Sequence, residues 1–184
     1  MKLFRTAETK PFRLEAVRLH PYNSKCVVNR FNCGQVPLDR FLKNRAKKSE
    51  ARLEQRVTVA TIDSSPNCVG YFALQLGSDT VPSLPRDKLR HLQNHIAFPA
   101  VHLSYLAVDK TYQRQGLGRY LLMEVFEKVA RISEHAGFYA LTLQSVDSES
   151  TAFYKSLGFE EYSEGGSQPK MLYPIENILE IVRS

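Results

Sequence analysis

The residues best suited to chemistry lie in one run, Gln113-Arg114-Gln115-Gly116-Leu117-Gly118-Arg119. An apolar stretch over 102–108 precedes it across the polar link 109–112, and residues 120–126 follow with helical spacing. The order is strand, glycine-bearing turn, helix. A helix N-terminus exposes unpaired backbone N–H groups and about half a positive charge, so it holds anions such as phosphate. Gly116 and Gly118 lack a Cβ and let a ligand approach the main chain. Arg114 and Arg119 add positive charge. Two other phosphate motifs fail. The dinucleotide fingerprint needs a third glycine where Leu121 stands, and the Walker loop needs a Gly-Lys pair that the chain lacks. A bare strand-to-helix turn also explains two glycines, so spacing alone leaves a phosphate cradle and an unliganded turn equally open.

The rest of the chain must position that run. Proline punctuation at Pro11 and Pro21 brackets an opening strand over 12–17. Gly34 and Pro37 then mark a turn into a helix whose Leu38, Phe41, Leu42, Ala46 and Leu53 share one apolar stripe. Residues 56–62 alternate as a strand, 63–67 read as a turn and 68–76 as a second strand, so the pair predicts an antiparallel hairpin. Residues 77–94 read as a loop carrying Arg86, Lys88 and Arg90. The central strand over 101–108 feeds the glycine run, a helix spans 116–135, and Gly137 stops it. A strand over 139–144, a short helix over 149–157 capped by Asp147 or Ser148, and a strand over 170–173 complete the series. The tail after Pro174 places Ile178, Leu179 and Val182 at amphipathic spacing. Strands first, then strand–helix–strand–helix–strand, predict an α/β chain: one domain over 1–184 with a mixed sheet covered by helices. In such a sheet the ligand lies at the carboxyl ends of parallel strands, where the glycine run falls.

Composition narrows the function classes. The 184 residues suffice for one sizeable core, and 43% hydrophobic with 24% charged is ordinary for a soluble protein. A net charge of +6 favours anionic partners: a phosphorylated cofactor, RNA or an acidic protein. Three cysteines, Cys26, Cys33 and Cys68, without CxxC spacing argue against a disulfide framework or a zinc site, and no metal is expected. They fit a reducing cytoplasm. No apolar run approaches the ~20 residues of a membrane span, and the first residues lead into charge rather than a signal core. The helix after Gly34 carries Arg40, Lys43, Arg45 and Lys47 on its polar side. A solvated face is the plainer reading of that run; a stripe tracking a nucleic-acid backbone is the other.

Gln113-x-x-Gly116-x-Gly118 after a strand ending Leu106-Ala107-Val108-Asp109 resembles the acetyl-coenzyme A loop of the GNAT acyltransferases. The run from Asp147 to Phe159, with Phe153-Tyr154-x-x-x-Gly158-Phe159, resembles the later GNAT segment; most of that superfamily has Asn where this chain has Asp147. Phe31-x-Cys33-Gly34-x-x-x-Leu38-Asp39-x-Phe41-Leu42-x-x-x-Ala46 is similar to the opening of the GNAT toxins of bacterial toxin–antitoxin pairs. The resemblance implies a central, mostly antiparallel sheet with helices on both faces. It implies acetyl-coenzyme A held by Leu106, Ala107, Val108, Gln113, Arg114, Gln115, Gly116, Leu117, Gly118, Arg119, Asp147 and Phe153. It implies acetyl transfer to the α-amine of an aminoacyl-tRNA, a block to translation, a ribbon-helix-helix antitoxin as partner, and a dimer. A GNAT enzyme acting on a small amine or a protein amine is the alternative, and a non-catalytic coenzyme-binding module the third reading.

With the resemblance in hand, tRNA binding moves ahead of the solvated face, through Arg40, Lys43, Arg45 and Lys47 and through Arg86, Lys88 and Arg90. Tyr154 becomes the candidate acid for the departing thiolate, although next to Phe153 it also reads as a core aromatic. His102 is weighed as a water-assisted base and read as structural, as are the three cysteines.

Overall fold

The computed structural model describes residues 12–23, 25–80, 96–162 and 168–183. Their strands are β1 (Val17–Pro21), β2 (Arg56–Ile62), β3 (Gly70–Thr80), β4 (Ala97–Val108), β5 (Ala140–Gln144), β6 (Glu160–Glu161) and β7 (Lys170–Pro174). They make one sheet in the order β1-β2-β3-β4-β5-β7-β6. Every described pairing is antiparallel except β4 with β5.

Helices cover both faces because both faces are apolar. On one, α3 (Leu117–Ser133) buries Leu117, Leu121, Leu122, Val125, Phe126 and Val129, a stripe at helical spacing. α3 comes close to the sheet at Gly70: a Cβ there would lie 2.9 Å from Leu121 Cδ1 and 3.3 Å from the Ala107 carbonyl. α5 (Ile175–Arg183) packs against α3 through Ile178 and its neighbours. On the other face lie α1 (Val36–Arg40), a π-helical turn (Phe41–Arg45) and α2 (Ala46–Ala51). There Phe31, Leu38, Phe41, Leu42 and Ala46 bury against Val57, Val59, Tyr71 and Ala73. The π turn is defined by the Ala46 N–H bonding back to the Phe41 carbonyl. Phe41, at its start, stacks on Tyr105 of β4 with centroids 3.8 Å apart. The short helix α4 (Ser148–Ser156) follows β5. Among the described residues no helix is long and apolar enough to cross a membrane.

Several element boundaries differ from the sequence reading. The opening strand begins only at Val17, because Leu14–Ala16 form a 3-10 turn ahead of it. Leu53 is no part of the apolar stripe: the helix ends at Ala51, and Leu53 follows in a left-handed conformation (φ 58°), 74% exposed. Residues 77–80, expected in a loop, instead continue β3, which runs to Thr80 paired with an equally extended β4; the rest of that expected loop, 81–94, lies outside the described residues. The two-residue β6 is too short to leave a pattern, and the tail forms the full helix α5.

α1 is moored to the sheet by the Tyr71 hydroxyl, which donates to the Leu38 carbonyl at 2.8 Å in a fully buried setting. Tyr71→Phe leaves that carbonyl with its helical partner, the Phe41 N–H. The expected cost is therefore that of one net hydrogen bond, about 1 kcal/mol. Urea unfolding should show a lower midpoint with an unchanged m value.

Candidate active site

The site begins with a failure of two strands to stay together. The parallel ladder of β4 and β5 covers only Ala100↔Ala140, Val101↔Leu141 and His102↔Thr142. On its other side β4 stays paired with β3 up to Val108, but with a bulge: Tyr105 faces Ala73 and Leu103 faces Leu74, so Ser104 is the extra residue. A bulge bends its strand and adds twist. Past it, residues 106–108 lie beyond the β5 ladder, and the chain after β5 turns away into α4. A cavity of about 360 Å3 occupies the opening.

The glycine run closes one end. Arg114 and Gly116 both take left-handed backbone, at φ 58° and 87°. For Arg114 that is an uncommon, mildly strained conformation. Left-handed residues within a turn direct successive N–H groups to one side, an arrangement that receives anions. α3 begins at once from Gly116, with no side-chain cap and no acidic residue in its first turn. Arg119 stands in that turn, where the helix dipole disfavours a cation unless an anion sits nearby. Arg114 bonds Glu149 of α4 at 3.1 Å, an exposed pair and therefore a weak one.

Side-chain amides and carboxylates lock the turn ahead of α1 to this end. Gln113 Nε2 donates to the Val108 and Cys33 carbonyls, both at 2.9 Å. Asp109 accepts from the Asn32 N–H at 2.8 Å and from the Thr111 N–H at 3.0 Å, and the Lys110 N–H donates to the Asn32 carbonyl. Gly34, at φ 93°, lets Lys110 cross over it; a Cβ there would meet Lys110 Cε at 2.7 Å.

α4 forms the opposite wall. Asp147 caps it, accepting from the Ser150 N–H at 2.7 Å, and the Ser150 hydroxyl closes the reciprocal capping box. The other Asp147 oxygen accepts from Gln35 Nε2 at 2.6 Å, joining α4 to the residue that precedes α1. Tyr154 lies two turns along and is 7% exposed, its ring edge-on to Phe153 and Phe159. Among the described residues its hydroxyl has no protein partner and no buried side-chain polar atom is left unsatisfied. The hydroxyl therefore opens onto the cavity that Tyr154 lines. Burial pushes its pKa well above the ordinary 10, so the proton stays on at neutral pH.

Leu106, Ala107, Val108, Gln113, Arg114, Gly116, Gly118, Arg119, Asp147, Phe153 and Tyr154 all line this one cavity. Two residues of the run do not. Leu117 is fully buried in the core beneath α3, and the Gln115 amide turns back to the Thr111 carbonyl at 2.7 Å. Arg40, Lys43, Arg45 and Lys47 are exposed, and none of them forms an ion pair among the described residues. Arg86, Lys88 and Arg90 lie outside the described residues. Sequence reasoning missed Gln35 as a cavity residue; its only signal is its place in the turn between Gly34 and Pro37.

Comparison with known proteins follows the same lines. The family profile described as "Acetyltransferase (GNAT) domain" matches residues 54–161. A Sinorhizobium fredii protein named "Probable toxin TacT" is 30% identical over 154 residues, 82% of this chain and 83% of that protein. A Mycobacterium tuberculosis protein named "tRNA-acetylating toxin" is 30% identical over 133 residues, 72% of this chain and 78% of that one. The structure of AtaT complexed with acetyl-methionyl-tRNAfMet superposes with a TM-score of 0.81 at 22% identity, across 91% of this chain and 99% of that one.

The remaining nucleophiles and bases stand apart from this chemistry. Burial pushes the Cys33 and Cys68 thiols up to about 11 and about 12, which keeps them protonated. His102 does not line the cavity; its Nδ1 bonds the Thr142 hydroxyl and its ring covers Gly77. Burial, with Lys170 adding to it, holds the His102 pKa below 6.5, against Asp79 and a Ser78 main-chain bond that favour the charged form. As pH falls through 6.5 the unfolded chain takes this proton first. The contribution of His102 to stability is thus complete above 6.5 and is lost as pH falls toward the folded value. A ring-proton NMR titration should give a midpoint below 6.5, and His102→Gln should flatten the acid side of the stability–pH curve; a midpoint above 6.5 would contradict this environment.

Proposed function

The chain belongs to the acetyltransferase (GNAT) family, and from that premise we propose that it carries acetyl from acetyl-coenzyme A to the α-amine of an aminoacyl-tRNA, acting as a translation-blocking toxin. The observation that carries the reading is a single cavity running from the anion-ready loop to the Tyr154 hydroxyl. The loop fits a pyrophosphate: two left-handed residues, an uncapped helix and two arginines. The tRNA acceptor follows from the unpaired basic face of Arg40, Lys43, Arg45 and Lys47 together with the relatives named as toxins, one of them tRNA-acetylating. On this reading the chain works in the cytoplasm as one domain, and a ribbon-helix-helix antitoxin and a second copy of the chain are its expected partners.

Acetyl-coenzyme A supplies the acyl group and a thiolate leaving group. Residues 113–119 hold its phosphates and fix the thioester relative to the acceptor; such positioning contributes up to about 7–11 kcal/mol in favourable cases. Main-chain N–H groups of Leu106 and Val108, past the end of the β5 ladder and on the side of β4 away from β3, are the candidates to receive negative charge developing on the thioester oxygen. Tyr154 gives its proton to the departing sulfur, a role suited to a phenol that burial keeps protonated.

The test is transfer from labelled acetyl-coenzyme A to a pool of aminoacyl-tRNAs. Label is expected on the aminoacyl group. Tyr154→Phe should lower kcat by about 100-fold or more with little change in KM or melting temperature, because its hydroxyl supports no protein contact. Turnover on polyamines or peptides without tRNA labelling would replace the acceptor. Equal rates in the two proteins would remove Tyr154 from the mechanism. Gln113→Ala severs both carbonyl bonds that hold the loop to β4 and to the turn before α1. Calorimetry should show acetyl-coenzyme A binding weakened by about 10-fold or more, the value of one to two hydrogen bonds.

A further inference from the structure

The Asp147 carboxylate is the charged group of the cavity that the coenzyme reading leaves without a counterpart. The loop end is cationic, through Arg114 and Arg119, and Glu149 there is already paired with Arg114. Asp147 has only neutral partners: the Ser150 N–H on one oxygen and the Gln35 amide on the other. Among the described residues no lysine, arginine or histidine pairs with it. A carboxylate oxygen accepts two hydrogen bonds, so the Gln35-bound oxygen retains capacity for another donor. A half-buried carboxylate with unneutralised charge favours a cation. The reaction proposed above brings one: the acceptor α-amine, part of which is ammonium near neutral pH.

Gln35 gives the carboxylate its orientation. It comes from the face of α1 and α2, whereas Ser150 comes from α4, so the Asp147 oxygens are held by both walls of the cavity. The other titratable or charged groups around the cavity are Cys33 from the turn before α1, Arg114 and Arg119, and Glu149 and Tyr154 on α4 itself. Of these, Cys33 keeps its proton, and Arg114 is paired with Glu149.

We infer that Asp147, oriented by Gln35, receives the acceptor amine and takes its proton; this rests on the acetyl-transfer reading of the same cavity. Where the amine arrives as ammonium, Asp147 first takes one proton and passes it to water. The neutral amine then attacks: the N–C bond forms as the C–S bond breaks, nitrogen gives its second proton to Asp147, Tyr154 gives one to sulfur, and both groups reset by exchange with water. Gln35 is a positioning residue acting through Asp147.

Asp147→Asn tests this, because Asn caps a helix as well as Asp through its one oxygen, and Gln35, with its amide turned over, can accept from the new NH2 group. Steady-state rates on aminoacyl-tRNA would be measured from about pH 6 to about pH 8.5, with melting curves alongside. The expected result is a kcat lowered by about 10-fold or more at neutral pH with the KM for acetyl-coenzyme A within about twofold, the deficit shrinking as pH rises and the amine loses its proton unaided. Gln35→Ala should show the same pH-dependent deficit in milder form. An Asp147→Asn enzyme with raised KM for acetyl-coenzyme A and an unchanged pH profile would overturn the inference and make Asp147 a coenzyme contact. A wild-type protein that labels no aminoacyl-tRNA would instead sink the parent reading, and this one with it.

Discussion

The Gln113 carboxamide bonds two carbonyls that belong to different parts of the fold, Val108 at the end of β4 and Cys33 in the turn before α1. Three pieces of chain meet there: the strand that floors the cavity, the loop at its anion end, and the segment that brings Gln35 to its far wall. Asp109 repeats the tie one turn away through Asn32. Each bond is worth only about 1 kcal/mol net. Their placement matters more than their sum, since they fix the loop and the Gln35 wall relative to each other without crossing the cavity. Gln113 does this from the inside, with both of its amide hydrogens committed to protein carbonyls. In this structure it supports the glycine-bearing loop, whose own main-chain N–H groups remain as its donors.

The cavity itself depends on incomplete hydrogen bonding. An unbroken β4–β5 ladder would leave no space between those strands. The Ser104 bulge and the three-pair ladder open them, and the interrupted ladder forgoes its remaining pairs. What keeps the sheet whole is apolar burial on both faces of β3 and β4, with Leu117 and Leu121 against Gly70 on one side and Phe41 stacked on Tyr105 on the other. The second contact is set by the π turn, which starts at Phe41. The irregularities in β4 and in the helical layer thus meet on one face of the sheet, where Phe41 stacks on the residue that follows the bulge.

Much of this was legible in the residues, and for physical reasons. α3 carries an unbroken 3.6-residue stripe, and β2 and β3 are runs rich in β formers on either side of the turn 63–67, so both follow from local pattern alone. The glycine run and Asp147 are local as well, because turn geometry and helix capping are decided within a few residues. The bulge at Ser104, the length of the β4–β5 ladder and the continuation of β3 past Gly77 are decided by strand register, which no short window of sequence encodes. Gln35 was invisible because its meaning lies in a partner 112 positions away. Leu117 is the opposite case: it sits inside the glycine-bearing motif, but its side chain belongs to the core beneath α3.

Both signs of charge line the cavity. Arg114, Arg119 and the positive end of α3 carry one, Glu149 and Asp147 the other. Glu149 is paired with Arg114, whereas Asp147, at the N-cap of the same helix, is held by neutral donors. The cap of α4 therefore comes up to the glycine loop, and Tyr154 lies two turns further along that helix. A phosphate is drawn to the loop N–H groups and the arginines, a cationic amine to Asp147, and the exchanged arrangement would bring like charges together. The hydrogen bonds of Gln113 and Gln35 both run to the turn before α1, so that turn fixes the loop and the Asp147 cap relative to each other.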